Sequence, residues 1–137
     1  MQHPLQNVLV VDDHRDTAEM IAEFLREVGF VSHTANNGLD ALRIYDALRP
    51  ALIITDESLA GTITGSDLVR VLRRKYGPAV GRALFLTGAP DTVSSLPTDA
   101  VLEKPVDLET LIAAVRSILG SPPAARESEA AASARPP

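Results

Sequence analysis

Short, wholly apolar runs alternate along this chain with stretches of helical period, and that alternation restricts it to one class of fold. A run such as Val8-Leu9-Val10-Val11 is a strand buried on both faces, and strands of that kind occur in parallel sheets covered by helices. The runs are Asn7 to Val11, Phe30 to Ala35, Ala51 to Thr55, Arg82 to Leu86 and the short Ala100 to Leu102. Between the first two, Thr17 to Val28 sets Ile21, Leu25 and Val28 on one helical face and stops at Gly29. A second helix carries Leu39, Leu42, Tyr45 and Leu48 and closes before Pro50. A third, from Ser66 to Tyr76, has Leu68, Val71 and Leu72 as its expected buried side, and a last one, capped by Asp107, carries Leu108, Leu111, Ile112, Val115 and Ile118. The expected folded domain runs from residue 5 to 119.

Residues 120–137 read as a Pro/Ala-rich disordered tail. From Ser121 onward there are four prolines, six alanines and no large apolar residue, too little burial to offset the entropy of ordering. A chain of 137 residues holds one domain of ordinary size and leaves no room for a second, so no effector domain is expected. The chain has no cysteine, which excludes disulfides and thiolate ligation. A net charge of −5 gives no field for a phosphate backbone, and the cluster Arg70, Arg73, Arg74 and Lys75 reads as a solvated helix face rather than a nucleic-acid patch. No apolar run is long enough for a bilayer and no signal peptide is evident, so a soluble cytoplasmic protein without membrane or direct nucleic-acid partners is expected.

Ligands of α/β sheets bind beyond the carboxyl ends of the strands. There the sequence places Asp12 and Asp13 after the first strand and Asp56 after the third. Crowded carboxylates favour capture of a hard cation, for which Mg²⁺ is the natural candidate. Thr87 ends the fourth strand and Lys104 follows the fifth. Each residue alone has an ordinary explanation: a helix cap, a β-branched strand residue, a lysine lying over the sheet. Their order along the strands is what points to chemistry. Phosphoryl transfer needs an in-line nucleophile and positive charge around three equatorial oxygens. Asp56 would be the nucleophile, Asp13 and Asp56 would hold the metal, Thr87 would donate to one oxygen and Lys104 would pair with another. His3, His14 and His33 are not spaced as a metal set and are assigned to surface or loop, with His14 at the pocket rim.

The segments Val10-Val11-Asp12-Asp13, Ile53-Ile54-Thr55-Asp56, Leu86-Thr87-Gly88 and Glu103-Lys104-Pro105 together resemble the receiver domain of bacterial two-component response regulators, over roughly Val8 to Leu119. The resemblance implies a flavodoxin-like sheet of five parallel strands in the order 2-1-3-4-5 with helices on both faces. It also implies phosphorylation of Asp56 by a histidine kinase or phosphotransfer protein, dependence on Mg²⁺, and a metal ligand from the Ser58 backbone carbonyl. The Lys104-Pro105 bond is expected to be cis. Three features depart from the family pattern. Ala60 and Thr64 stand where Pro and Gly are usual, with Gly65 one step later, so the loop after Asp56 is one residue longer. Val101 replaces the switch aromatic. The stretch 88–103, containing Pro90 and Pro97, leaves room only for a shortened fourth helix.

The expected function is therefore that of a stand-alone response regulator in phosphorelay signalling, catalysing only its own phosphorylation and dephosphorylation and acting through contacts with an unknown downstream protein. The alternative is a degenerate receiver that binds its partner without phosphorylation, motivated by the altered loop and Val101. A haloacid-dehalogenase-type hydrolase would need an acid where Ser58 stands, and a flavin site would need ring-flanking aromatics that a 4% aromatic content does not provide.

Overall fold

The computed structural model describes residues 6–59, 61, 63–93 and 99–120. Residues 121–137 of the expected tail, His3, Ala60 and Pro97 lie outside the described residues. Five strands, β1 (Asn7–Val11), β2 (Val31–Ala35), β3 (Leu52–Asp56), β4 (Ala83–Thr87) and β5 (Ala100–Glu103), form one sheet in the order β2-β1-β3-β4-β5. Every pairing is parallel. Four helices connect and cover the strands: α1 (Arg15–Glu27), α2 (Gly38–Leu48), α3 (Gly65–Tyr76) and α4 (Leu108–Leu119).

The continuous apolar strands are explained by cores on both faces of the sheet. Val8, Val10, Leu52, Ile54 and Leu84 pack under α1 and α4, against Ile21, Leu25, Leu111 and Val115. The alternate residues Leu9, Val11 and Ile53 pack under α2 and α3, against Ala41, Tyr45, Leu68 and Leu72. Because successive strand side chains point to opposite faces, a strand sandwiched in this way must be apolar at every position.

The helix ends follow local chemistry. Gly29, just past α1, has φ of +102°, a conformation that costs glycine little. Asn37 caps α2 through the Asp40 amide, Thr64 and Asp67 form a capping box on α3, and Asp107 accepts the Thr110 amide at 2.7 Å to cap α4.

Two expected buried faces need correction. Leu39 and Leu48 of α2 are 59% and 39% exposed. Nine residues apart at about 100° per residue, they stand on opposite sides of the helix and cannot both join Tyr45 in the core. Val71 of α3 is 41% exposed, and Val69 takes its place under the sheet. Val71 lies about 100° from the centre of the stripe that Leu68, Val69 and Leu72 define.

β3 and β4 begin and end one residue later than the apolar runs suggest, so Asp56 and Thr87 are the terminal residues of their strands. Between β4 and β5 the described residues contain one 3₁₀ turn, Pro90–Thr92, in keeping with the shortened fourth helix. The start of β5 is tied down by Asp99. Its fully buried carboxylate accepts two hydrogen bonds from Arg73 of α3, at 2.6 and 3.0 Å, and one from the Ala83 amide of β4 at 2.9 Å.

Candidate functional site

Strand register assembles the site. Val11 of β1 pairs with Thr55 of β3, so Asp12 and Asp56 leave adjacent strands side by side at their carboxyl ends. Asp56 pairs with Leu86 of β4, which puts Thr87 one step beyond, and Thr87 pairs with Glu103 of β5, which puts Lys104 one step beyond that. The order reverses between β1 and β3, the position at which such sheets bind ligands. Asp12, Asp56 and Thr87 are all buried at this edge.

Asp56 is held from two sides. Its Oδ2 accepts a hydrogen bond from Lys104 Nζ at 2.8 Å, and its Oδ1 accepts the Ser58 amide at 3.1 Å. The Lys104 amide donates to the Thr87 carbonyl at 2.8 Å, which fixes the lysine's base beside β4. The Lys104-Pro105 bond is cis, as the resemblance implied. Glu103, the neighbouring acid, is exposed and leaves Lys104 to Asp56. Thr87 Oγ1 accepts the Ala89 amide at 3.0 Å, so the hydroxyl hydrogen is left to donate toward the pocket.

The acid pair lies beside them. Asp12 is anchored through its amide to the Ala35 carbonyl and through its carbonyl to Asn36 Nδ2, both at 3.0 Å. Burial raises the pKa of the Asp12 carboxyl above the ordinary carboxylate value; the His14 amide, donating at 2.9 Å, opposes the shift and the nearby Asp56 charge adds to it. Asp13 Oδ1 is buried and accepts no hydrogen bond. A buried carboxylate oxygen without a hydrogen bond, beside the Asp12 carboxylate, is a donor set that suits a hard divalent cation, so these residues fit Mg²⁺.

Two features were not found from the sequence. The loop after Asp56 is closed by Glu57, whose carboxylate accepts the Ser66 amide and hydroxyl, each at 2.6 Å, while its carbonyl accepts the Gly65 amide at 2.9 Å. A Cβ at Gly65 would stand 2.4 Å from the Asp56 carbonyl oxygen, so the lengthened loop needs glycine where α3 meets β3. Acid at a helix N-terminus is a familiar sequence signal, but here the acid arrives from across a loop. The second feature is His14, set aside as a rim residue. Its Nδ1 stands 3.3 Å from Asp12 Oδ1 and 3.2 Å from Asp13 Oδ1. Among the described residues, Asp12, Asp13 and His14 bring donor atoms within 4.8 Å of one another, and Asp56 stands outside that trio. Among the described residues, His33 hydrogen-bonds Asn7, the first residue of β1.

At the expected switch position, Val101 packs with Val93 against Val69, Ala83 and Phe85. Next to the site, a cleft of about 580 Å³ runs from Asp12 and Lys104 between α1 and α4, over Met20, Ile21, Leu108 and Leu111.

The site is thus the switch point of a parallel five-stranded sheet that carries an acid pair, a strand-end aspartate, a hydroxyl and a lysine. Residues 8–116 match the family model of the response regulator receiver domain, and the chain belongs to that family. It is 36% identical over 116 residues to the DNA-binding response regulator MtrA of Mycobacterium tuberculosis, covering 83% of this chain and 50% of the relative. The chain spans about half the length of the curated relatives it matches. Among solved structures it resembles the Thermotoga maritima response regulator TrrA in complex with Mg(2+)-BeF, with a TM-score of 0.72 and 28% identity over 84% of this chain and 100% of that one. The chemotaxis response regulator CheY4 of Vibrio cholerae gives a TM-score of 0.72 at 26% identity, over 85% and 100%. No helix among the described residues is long and apolar enough to cross a membrane.

Proposed function

We propose that this receiver accepts a phosphoryl group on Asp56 from a phosphohistidine of a sensor histidine kinase or histidine phosphotransfer protein, and signals through contacts of its own surface with other proteins rather than with nucleic acid or membrane. An Asp56 carboxylate oxygen attacks phosphorus, the phosphorus–nitrogen bond of the donor breaks, and its electron pair returns to the donor imidazole. The product is an aspartyl phosphate. The observation that carries this reading is the 2.8 Å contact between Lys104 Nζ and the buried Asp56 Oδ2, which keeps a cation beside the nucleophile. Lys104 follows the developing charge onto the phosphoryl oxygens, and the Thr87 hydroxyl donates to another of them. Asp12, Asp13, Asp56 and the Ser58 backbone carbonyl would hold Mg²⁺, which when bound neutralises charge on the transferred group. The Thermotoga relative solved with Mg(2+)-BeF supports that choice of ion. The cleft between α1 and α4 opens beside Asp56's partner Lys104 and offers the donor protein an apolar seat.

Incubation with a small acyl-phosphate donor, with and without Mg²⁺, tests the proposal by intact mass. Metal-dependent gain of one phosphoryl group in the wild type, absent in Asp56→Asn, is the expected result. No uptake under any condition would leave a binding module that works without phosphorylation.

A further inference from the structure

We infer that His14 is an additional ligand of the cation pocket, and that its imidazole shifts the site's preference from Mg²⁺ toward borderline first-row transition-metal cations, with Ni²⁺ as the probe. This rests on the proposed reading of the pocket as a divalent-cation site and goes beyond it in naming a nitrogen donor.

Three observations carry the inference. His14 Nδ1 lies 3.2 Å from Asp13 Oδ1 and 3.3 Å from Asp12 Oδ1. Neighbouring ligands around an ion with bonds of about 2.1 Å at right angles are about 3.0 Å apart, so both His14–carboxylate separations are of the size that two ligands of one ion adopt, and all three donor atoms lie within 4.8 Å of one another. Second, Asp13 Oδ1 is buried without a hydrogen bond although His14 Nδ1 is so close. His14 Nδ1 is instead within hydrogen-bond geometry of Asp12 Oδ1 at 3.3 Å, which leaves Asp13 Oδ1 to take an ion. Third, Asp56 Oδ2 is occupied by Lys104, which leaves the Asp12, Asp13 and His14 side of the pocket as the place where donors converge. The His14 ring is 75% exposed, so it turns onto an ion without disturbing packing. Carboxylate oxygens alone suit Mg²⁺, whereas an imidazole raises affinity for Ni²⁺ and its neighbours far more than for a hard ion.

The competing account is that His14, as a cation, pairs with the two carboxylates and excludes metal. Isothermal titration calorimetry of the full chain with MgCl₂ and with NiCl₂ at pH 8 separates the two. Wild type, His14→Ala and Asp13→Asn are compared. The inference expects the wild type to bind Ni²⁺ more tightly than Mg²⁺. It expects His14→Ala to lose about tenfold or more in Ni²⁺ affinity while Mg²⁺ affinity stays within about twofold, and Asp13→Asn to weaken both ions. The retained Mg²⁺ affinity also certifies that the His14→Ala pocket is intact. An unchanged Ni²⁺ to Mg²⁺ ratio in His14→Ala, or tighter Mg²⁺ binding, overturns the role of His14 alone. Failure of the wild type to bind either ion overturns the cation-site reading itself.

Discussion

Asp56 and Lys104 meet only because β3 and β5 deliver them to one edge, and the pair is the centre of the proposed chemistry. Lys104 holds one carboxylate oxygen and the Ser58 amide the other, so the proposed phosphoacceptor is oriented before any donor arrives. Removing the lysine takes away the cation that would follow charge onto the phosphoryl group. Lys104→Ala is expected to slow phosphoryl uptake from a small donor by about tenfold or more, read as the rate of mass gain at fixed Mg²⁺. Asp12 makes a different prediction. Burial raises its folded pKa above the unfolded 3.8, so its protonated form is the one folding favours, and that contribution is complete below pH 3.8 and lost as pH rises through the folded value. At neutral pH without metal the ionised Asp12 therefore costs stability. Asp12→Asn is expected to melt at a higher temperature than wild type at neutral pH in a chelating buffer, with the gap closing as the pH falls below about 4. Equal melting temperatures at neutral pH would contradict this.

Each helix is placed by one stripe, and the stripes of α2 and α3 are narrower than their leucine and valine content suggests. In α3 the centre is Leu72, which is fully buried, while Val71 next to it is 41% exposed. Leu72→Ala is expected to cost about 2–5 kcal/mol in chemical denaturation, and Val71→Ala to change stability by less than about 0.5 kcal/mol. A reversed order would mean that α3 is rotated about its axis. The exposed side of α3 is also where the cationic cluster resolves into local pairs. Arg70 bonds Asp67 of its own capping box, Lys75 lies 3.8 Å from Asp46, and Arg73 turns inward to Asp99. A charge run that the sequence presents as one feature is thus divided among partners on α2, α3 and the approach to β5.

At the scale of the molecule, the sheet has a strong centre and a thinner fifth strand. β1 and β3 are buried under helices on both faces, whereas β5 is only half-buried and, among the described residues, follows the 3₁₀ turn at Pro90–Thr92. The connection between α3, β4 and β5 depends on Asp99, whose buried carboxylate joins Arg73 to the Ala83 amide. Asp99→Ala leaves a guanidinium and a buried amide without their acceptor. It is expected to destabilise the domain by about 2–4 kcal/mol and to raise hydrogen exchange of the β5 amides beyond that of β1. Uniform loss across both strands would show that Asp99 supports the whole fold rather than this edge.

The sequence by itself determined the class of fold and the order of the residues gathered at the site. Strands buried on both faces must be apolar throughout, and the residues directly after Val11, Thr55, Leu86 and Glu103 must then project at one edge, so Asp12, Asp56, Thr87 and Lys104 were legible from their order alone. Helix stops at Gly29 and before Pro50 were equally local, as was the Asp107 cap. The tertiary structure decided what depends on direction and distance. Which side of α2 and α3 is buried follows from the rotation that packs them on the sheet, so Leu39, Leu48 and Val71 are exposed despite being apolar. The Glu57 brace and the Asp99 tie join residues 9 and 26 positions apart, and nothing in local spacing encodes such a meeting. His14 was left at the rim for the same reason: a histidine beside two acids becomes a ligand only when the chain turns its ring back over them, and that turn is set by how α1 leaves β1.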